Sequence, residues 1–119
     1  MNKKKEQQVK IMIQKELRYL GYNPKYYGTK YMMDAIFILY CYGNDIDNNL
    51  SKYVYPIISK KYNKTMQNIR CNMINATDLM ILECEEIRLM RYLKYFNYSK
   101  PGPKKIIEAV LNRINKKYL

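Results

Sequence analysis

The sequence predicts an all-α fold, a bundle of about six helices that contains a helix-turn-helix. Apolar residues recur at spacings of three and four in six segments, which is the repeat of amphipathic helices. No stretch alternates apolar and polar residues for long enough to predict a strand. With 119 residues and 48% hydrophobic content, the chain can build one core, so we expect a single domain over residues 1–119.

The first two predicted helices stand on either side of a loop that contains glycine and proline. The first helix spans about residues 4–20, and Gly21 follows it as a stop signal. The segment GYNPKYYG at 21–28 predicts a loop, because its glycines and proline interrupt regular structure. Thr29 then caps the second helix, which we expect to end before the polar segment GNDIDNN at 43–49.

The third helix is predicted to begin near Leu50 or Tyr53 and to end near Tyr62. Pro56 lies either in its first turn, where a missing backbone N–H costs nothing, or at a kink. The start of this helix therefore stays open between two positions, while the polar residues that follow mark its end.

A tight turn joins the third helix to a fourth, which we predict over about residues 66–82. Asn63 can adopt the left-handed conformation that such a turn needs, and Thr65 can cap the helix that follows. Two short amphipathic helices with a polar turn between them are the pattern of a helix-turn-helix. The apolar repeat predicts that the inward face of the fourth helix carries Ile69, Met73, Ala76 and Met80.

The last two predicted helices are separated by the loop segment NYSKPGP at residues 97–103. The fifth helix spans about residues 85–96 and the sixth about residues 104–118, and both show the spacing of amphipathic helices. Together with the four helices before them, they complete the predicted bundle.

The chain is strongly basic, which indicates an anionic partner. Twenty-two Lys and Arg residues stand against ten Asp and Glu residues, and the formal net charge is +12. The basic residues within 1–10 extend the first helix. A polyanion is the natural partner of such a chain, and nucleic acid is the leading candidate. The alternative is that the charge only keeps the protein soluble and monomeric.

The sequence lacks the residues that most enzymes and metal sites use. It contains no histidine, which excludes Ser-His and Cys-His nucleophile pairs and the usual zinc sites. Cys41, Cys71 and Cys84 stand far apart without a C-x-x-C pair, which favours reduced thiols in the cytoplasm. No apolar run is long enough to span a bilayer. We therefore expect a cytoplasmic protein that is not an enzyme and has no metal, no cofactor and no membrane partner.

The helix-turn-helix supplies the candidate DNA contacts. Three lysines at the end of the third helix and in the turn are placed to meet phosphates. The Thr65 end of the fourth helix offers free backbone N–H groups to the same anions. The outward face of the fourth helix, opposite its apolar residues, would meet the bases. The complete set is Lys60, Lys61, Lys64, Thr65, Gln67, Asn68, Arg70, Cys71, Ile74 and Asn75.

The outward face of the fourth helix is suited to A·T base pairs. Gln67 and Asn75 can each pair bidentately with adenine in the major groove, and Ile74 can pack on a thymine methyl group. Only Arg70 is equipped for guanine. The expected partner is therefore double-stranded DNA that is rich in A·T pairs.

Three segments of the chain resemble the C-terminal effector domain of the stage-zero sporulation response regulator. They read LGYNPKYYGTKYMMDAI at 20–36, VYPIISKKYNKT at 54–65 and KPGPKKIIEAVLNRI at 100–114. The resemblance covers about a hundred residues, from roughly Met12 to the end of the chain. It implies a six-helix bundle whose third and fourth helices form a helix-turn-helix, and a role in DNA binding and transcription regulation.

Two departures from this family limit what the resemblance implies. The family's full protein begins with a phosphoacceptor receiver domain, which this sequence does not contain. The family's charged contact positions in the recognition helix fall here on Arg70, Cys71, Ile74 and Asn75, of which only Arg70 carries a charge. The resemblance therefore implies the fold and DNA binding, but not the family's target sequence.

The leading hypothesis is a DNA-binding transcription regulator or accessory DNA-binding factor, acting as a homodimer or on tandem sites. A second hypothesis is a paralogue without a receiver domain, which acts as a protein-interaction module and antagonises a full-length regulator. A third is a basic helical protein that binds RNA or anionic membrane surfaces. Binding to random duplex DNA separates the first hypothesis from the second.

Overall fold

The structure, a computed structural model, describes residues 2–46, 49–94 and 100–118. These residues form six α-helices and a π-helical turn and contain no strand, so the predicted all-α class is confirmed. The π-helical turn, Leu50–Val54, lies directly before the third α-helix. The α-helices are α1 (Lys3–Leu20), α2 (Tyr27–Ile46), α3 (Tyr55–Tyr62), α4 (Met66–Glu83), α5 (Glu86–Leu93) and α6 (Pro103–Tyr118).

Local capping groups set both ends of α1. At its start, the Asn2 side chain accepts a hydrogen bond from the Lys5 backbone N–H at 2.8 Å. At its end, Gly21 takes the left-handed conformation with φ of 107°, and its N–H bonds to the carbonyls of Leu17 and Arg18. The prediction that Gly21 stops the first helix is therefore confirmed.

The start of α2 differs from the prediction, and Gly28 in its first turn lies against α4. The helix begins at Tyr27, so Thr29 lies inside its first turn, buried, and does not cap it. Gly28 belongs to the helix rather than to a loop. A Cβ at this position would lie 2.0 Å from the Asn72 carbonyl oxygen and 2.7 Å from the Ala76 Cβ. Glycine is therefore needed here because α2 packs directly on the backbone of α4.

Helix α2 also runs further than predicted. It continues through Gly43 to Ile46, although the polar segment at 43–49 predicted an earlier end. A single glycine lowers helix propensity by only about 1 kcal/mol, which the packing of a long helix outweighs. Residues 47–48 of the polar segment lie outside the described residues.

The region between α2 and α3 contains a feature that the sequence patterns did not predict. Asn49 caps the π-helical turn by accepting a hydrogen bond from the Lys52 N–H at 3.0 Å, and Leu50 and Val54 of this turn are buried. Helix α3 itself begins at Tyr55, two residues after the later of the two predicted starts. Pro56 lies in its first turn, which confirms one of the two predicted positions.

Helix α5 is shorter than predicted, and α6 agrees with its prediction to one residue. Helix α5 ends at Leu93 because Lys94 takes a left-handed conformation with φ of 69°, which breaks the helical hydrogen bonding. The prediction had continued to residue 96, and residues 95–99 lie outside the described residues. Helix α6 begins at Pro103, where proline is tolerated in the first turn.

Helix α2 is the centre of the bundle and contacts α1, α3, α4 and α6. Helices α3 and α4 both contact α2, and a short turn at residues 63–65 joins them to each other. None of the helices in the described part of the chain is long and apolar enough to cross a membrane. The core between the helices contains Ile13, Leu17, Met32, Ile36, Ile58, Ile69, Met73, Ile106, Ile107 and Val110, all almost fully buried.

Candidate nucleic-acid interface

The turn between α3 and α4 is short and internally hydrogen-bonded. Asn63 adopts the left-handed conformation with φ of 54°, and the Thr65 hydroxyl accepts a hydrogen bond from the Asn68 N–H at 3.0 Å. The Lys64 N–H bonds to the Ser59 carbonyl at 3.1 Å, and the Ser59 hydroxyl donates to the Lys64 carbonyl. Both predictions for this turn, the left-handed Asn63 and the Thr65 cap, are confirmed.

The inward face of α4 is the one that the apolar repeat predicted. Its exposed fraction is 0% at Ile69 and Met73, 4% at Ala76 and 1% at Met80. Thr77 is buried beside them, and its hydroxyl lies 2.7 Å from the Tyr22 hydroxyl, so the polar group is satisfied. The rotation of α4 about its axis is therefore set by core packing, and the opposite side faces outward.

Six of the predicted DNA-contacting residues lie on the exposed side of α4. We call Gln67, Asn68, Arg70, Cys71, Ile74 and Asn75 the recognition face, and all six side chains are exposed. Ile74 keeps 43% of its surface exposed, so its side chain is accessible to a partner. Arg70 is the only charged member of this face.

Asn72 is a neighbour of the recognition face that the sequence patterns missed. Its side-chain amide donates to the Asn68 carbonyl at 2.8 Å and to the Asn68 Oδ1 at 3.2 Å. This second bond ties the Asn68 side chain to the helix and limits its freedom to reach a base. The spacing of four residues between two asparagines was the available signal, because such residues are neighbours on a helix surface.

The three predicted phosphate-binding lysines are all exposed, but they differ in their surroundings. Lys60 and Lys64 lie at the end of α3 and in the turn. Lys61 Nζ forms an ion pair with Asp34 Oδ1 at 3.0 Å, and it lies 5.2 Å from the centre of the Tyr62 ring. The positive charge of Lys61 is therefore shared with a carboxylate before any DNA arrives.

Asp34 joins α2 to α3, and the sequence analysis did not identify it. Its Oδ2 accepts a hydrogen bond from the Tyr62 hydroxyl at 2.6 Å, while Oδ1 pairs with Lys61. Burial and this bond to Asp34 both raise the pKa of Tyr62, so the hydroxyl stays protonated. Asp34 is the single charged residue in the apolar stretch 31–42, and this isolation was the signal that could have identified it.

The described residues place no cluster of metal-binding side chains at this surface. No three His, Cys, Asp or Glu residues within the described part of the chain lie close enough to hold a metal ion. Cys41, Cys71 and Cys84 are free thiols, and burial raises the pKa of Cys41 and Cys84. The chemistry that the interface offers is hydrogen bonding, apolar contact and positive charge.

Comparison with known protein families agrees with this geometry. The family model described as "Sporulation initiation factor Spo0A C terminal" matches residues 13–114, which is nearly the whole chain. A search of the curated proteins found no significant match. The matched family is one of DNA-binding domains and not of enzymes. The chain therefore belongs to the Spo0A C-terminal family, the DNA-binding effector domain of a sporulation regulator.

Proposed function

We propose that this protein is a sequence-preferring, double-stranded DNA-binding protein that reads the major groove with α4 and acts in the cytoplasm. It serves as a transcription regulator or as an accessory DNA-binding factor. The observation that carries the proposal is the exposed recognition face beside the lysines of α3 and the turn. An α-helix with an exposed polar face fits the major groove, and cations beside it meet the flanking phosphates.

The two parts of the interface have different tasks in this proposal. Lys60, Lys64 and the backbone N–H groups near Thr65 bind phosphates and supply affinity for any duplex. Gln67 and Asn75 hydrogen-bond to adenine, and Ile74 contacts thymine methyl groups, so the preferred sites are rich in A·T pairs. Binding as a homodimer or on tandem sites belongs to the same proposal.

A second candidate function is favoured by the low charge of the recognition face. Arg70 is the only charged member of this face. In this candidate function, the fold is retained but the face no longer discriminates between base pairs. The protein would then be an interaction module that antagonises a full-length regulator. The two candidates differ in one property, which is whether α4 discriminates between DNA sequences.

The test of base reading compares two variants on two DNAs. Selection of bound fragments from random DNA defines a preferred site, and mobility shifts then measure binding to it and to random duplex. Asn75→Ala should cost roughly 1 to 3 kcal/mol on the preferred site and little on random duplex. Lys64→Ala should weaken both duplexes alike and lower the salt slope by about one unit, because it removes a phosphate contact.

The matched control is Gln14→Ala, which removes an exposed amide from α1 and should leave both affinities unchanged. Equal losses for Asn75→Ala on the two DNAs would remove its base-reading role. Failure of the selection to enrich any site would favour the antagonist instead.

A further inference from the structure

A cleft lies between the end of α5 and the second half of α6, away from the helix-turn-helix. Its volume is about 810 Å³, which is large enough for a small ligand or a segment of a larger one. The helices that form it, α5 and α6, contribute none of the candidate DNA contacts of α3 and α4. Its polar lining includes Arg91, Lys94, Asn112, Arg113, Asn115 and Lys116.

The charged side chains that line the cleft are all positive. Four of its lining residues are Lys or Arg, and the described lining contains no carboxylate. Glu16, which is 5% exposed, contacts two residues of the lining. Glu16 Oε1 pairs with the Arg113 Nε at 3.0 Å and accepts a hydrogen bond from the Tyr92 hydroxyl at 2.8 Å. Glu16 is therefore engaged behind Arg113, on the side away from the open part of the guanidinium.

Arg113 is held in place by more than this ion pair. Its guanidinium carbon lies 4.9 Å from the centre of the Tyr92 ring and 5.6 Å from that of the Tyr19 ring. Even so, its side chain remains 43% exposed. A guanidinium that is fixed on one side and open on the other is preorganised for an anion, because little side-chain freedom is lost on binding.

Lys94 and Lys116 bring two like charges together at the rim of the cleft. The proximity of Lys116 disfavours a second positive charge beside it and lowers the pKa of Lys94. The backbone of Lys94 also has φ of 69°, a conformation that residues other than glycine and asparagine seldom adopt. Two like charges at one rim repel each other, and an anion bound beside them would offset this repulsion.

The attraction of cations to the end of a helix accounts for only part of this arrangement. A helix C-terminus favours positive charge in and next to its last turn, which explains Arg91 and Lys94 at the end of α5 and Lys116 at the end of α6, but not Arg113. Arg91 and Lys94 belong to the end of α5, and Asn112 and Asn115 add amide donors on the same side of α6. Two helices thus bring charged and neutral donors to one cleft.

We propose that the α5–α6 cleft binds a phosphate group. Phosphate offers several acceptor oxygens to planar Arg donors and to Lys ammonium groups, which matches this lining better than a single carboxylate does. The phosphate can belong to a free anion or to a nucleic-acid backbone, and the chemistry of recognition is the same. This site is additional to the contacts proposed for α3 and α4.

The test uses the full chain with pyrophosphate as the free ligand and random duplex DNA as the polymer. The variant is Lys94→Gln with Lys116→Gln, which removes two of the four cations that line the cleft and leaves Arg113 and Glu16 in place. The matched control is Lys15→Gln with Lys104→Gln, two exposed lysines outside the cleft that give the same change in net charge. Thermal unfolding of each protein without ligand verifies the fold.

Calorimetry should show pyrophosphate binding to wild type and to the control, and a loss of about tenfold or more in the cleft variant. If the cleft variant also binds DNA more weakly than the control does, the backbone of DNA is a source of the phosphate. If DNA binding is equal in the two, the natural ligand is a free anion. Equal pyrophosphate affinity in the cleft variant and the control, or none in wild type at millimolar ligand, would overturn the proposal.

Discussion

At the scale of single residues, Asp34 controls how much of the Lys61 charge faces outward. A phosphate must compete with Asp34 Oδ1, 3.0 Å away, for the Lys61 ammonium group. We expect Asp34→Asn to free Lys61 while keeping an acceptor for the Tyr62 hydroxyl. The affinity for random duplex DNA should rise, and log K should fall more steeply with log salt, by up to about one unit, in mobility-shift titrations.

The control for this prediction is the same substitution in a Lys61→Ala background. If Asp34 acts through Lys61, the gain in affinity disappears there, because the double-mutant cycle isolates the pair. A gain that persists without Lys61 would show only a general effect of removing negative charge. No gain in either background would show that Lys61 makes no phosphate contact.

At the scale of elements, the docking of α2 on α4 depends on Gly28. A Cβ there would meet the Asn72 carbonyl oxygen and the Ala76 Cβ, groups that can yield only if a helix moves. We expect Gly28→Ala to lower the free energy of unfolding by about 1 to 3 kcal/mol, the usual cost of overpacking. Urea denaturation measures this change.

Gly102→Ala is the matched control for the α2–α4 contact. A Cβ at Gly102 would meet nothing within 4 Å. This variant should be as stable as wild type or slightly more stable, because alanine restricts the unfolded chain. If Gly28→Ala also left the stability unchanged, the two helices could separate at this point without cost, and the close approach would not hold the helix-turn-helix in place.

At the scale of the whole molecule, three tyrosine hydroxyls join segments that are distant in the sequence. Tyr22 bonds to Thr77 of α4, Tyr62 of α3 to Asp34 of α2, and Tyr92 of α5 to Glu16 of α1. Burial raises the pKa of all three, and the acceptor carboxylates raise those of Tyr62 and Tyr92 further. The folded protein therefore holds these protons more tightly than the unfolded chain does.

This difference predicts alkaline unfolding. Tyrosines in the unfolded chain titrate at about pH 10. The contribution of these three hydroxyls to the free energy of unfolding is therefore fully present below about pH 10 and is lost as the pH rises further. Tyr22 and Tyr92 are almost fully buried. Through each of them, the free energy of unfolding should fall by up to about 1.4 kcal/mol for each pH unit above about pH 10. Urea denaturation between about pH 8 and about pH 11 measures the slope.

Tyr22→Phe separates this effect from the titration of the many lysines. This substitution removes one titrating tyrosine and leaves every lysine. Above about pH 10, the free energy of unfolding of the variant should therefore fall less steeply with pH than that of wild type, by the contribution of one proton. An identical slope in the two proteins would show that Tyr22 does not hold its proton in the folded state.

The conformations at several helix ends could be predicted from the sequence. The left-handed Asn63, the Thr65 cap and the Gly21 stop depend on residues within about four positions of one another, so the sequence alone was sufficient. The inward face of α4 followed from the apolar repeat, because core burial selects the side on which that repeat falls. The exposure of the recognition face was a consequence of the same repeat.

Tertiary structure decided the features that join residues far apart in the chain. Gly28 appeared as a loop signal, but it lies inside a helix, where the Asn72 backbone, more than forty residues later, leaves no room for a side chain. The pairing of Lys61 with Asp34 and the gathering of α5 and α6 cations in one cleft likewise require the packed bundle. Local sequence determined where most helices begin and end and which face of each helix is apolar. The partner of each polar group was decided by packing, because no local pattern specifies which distant side chain a polar group will meet.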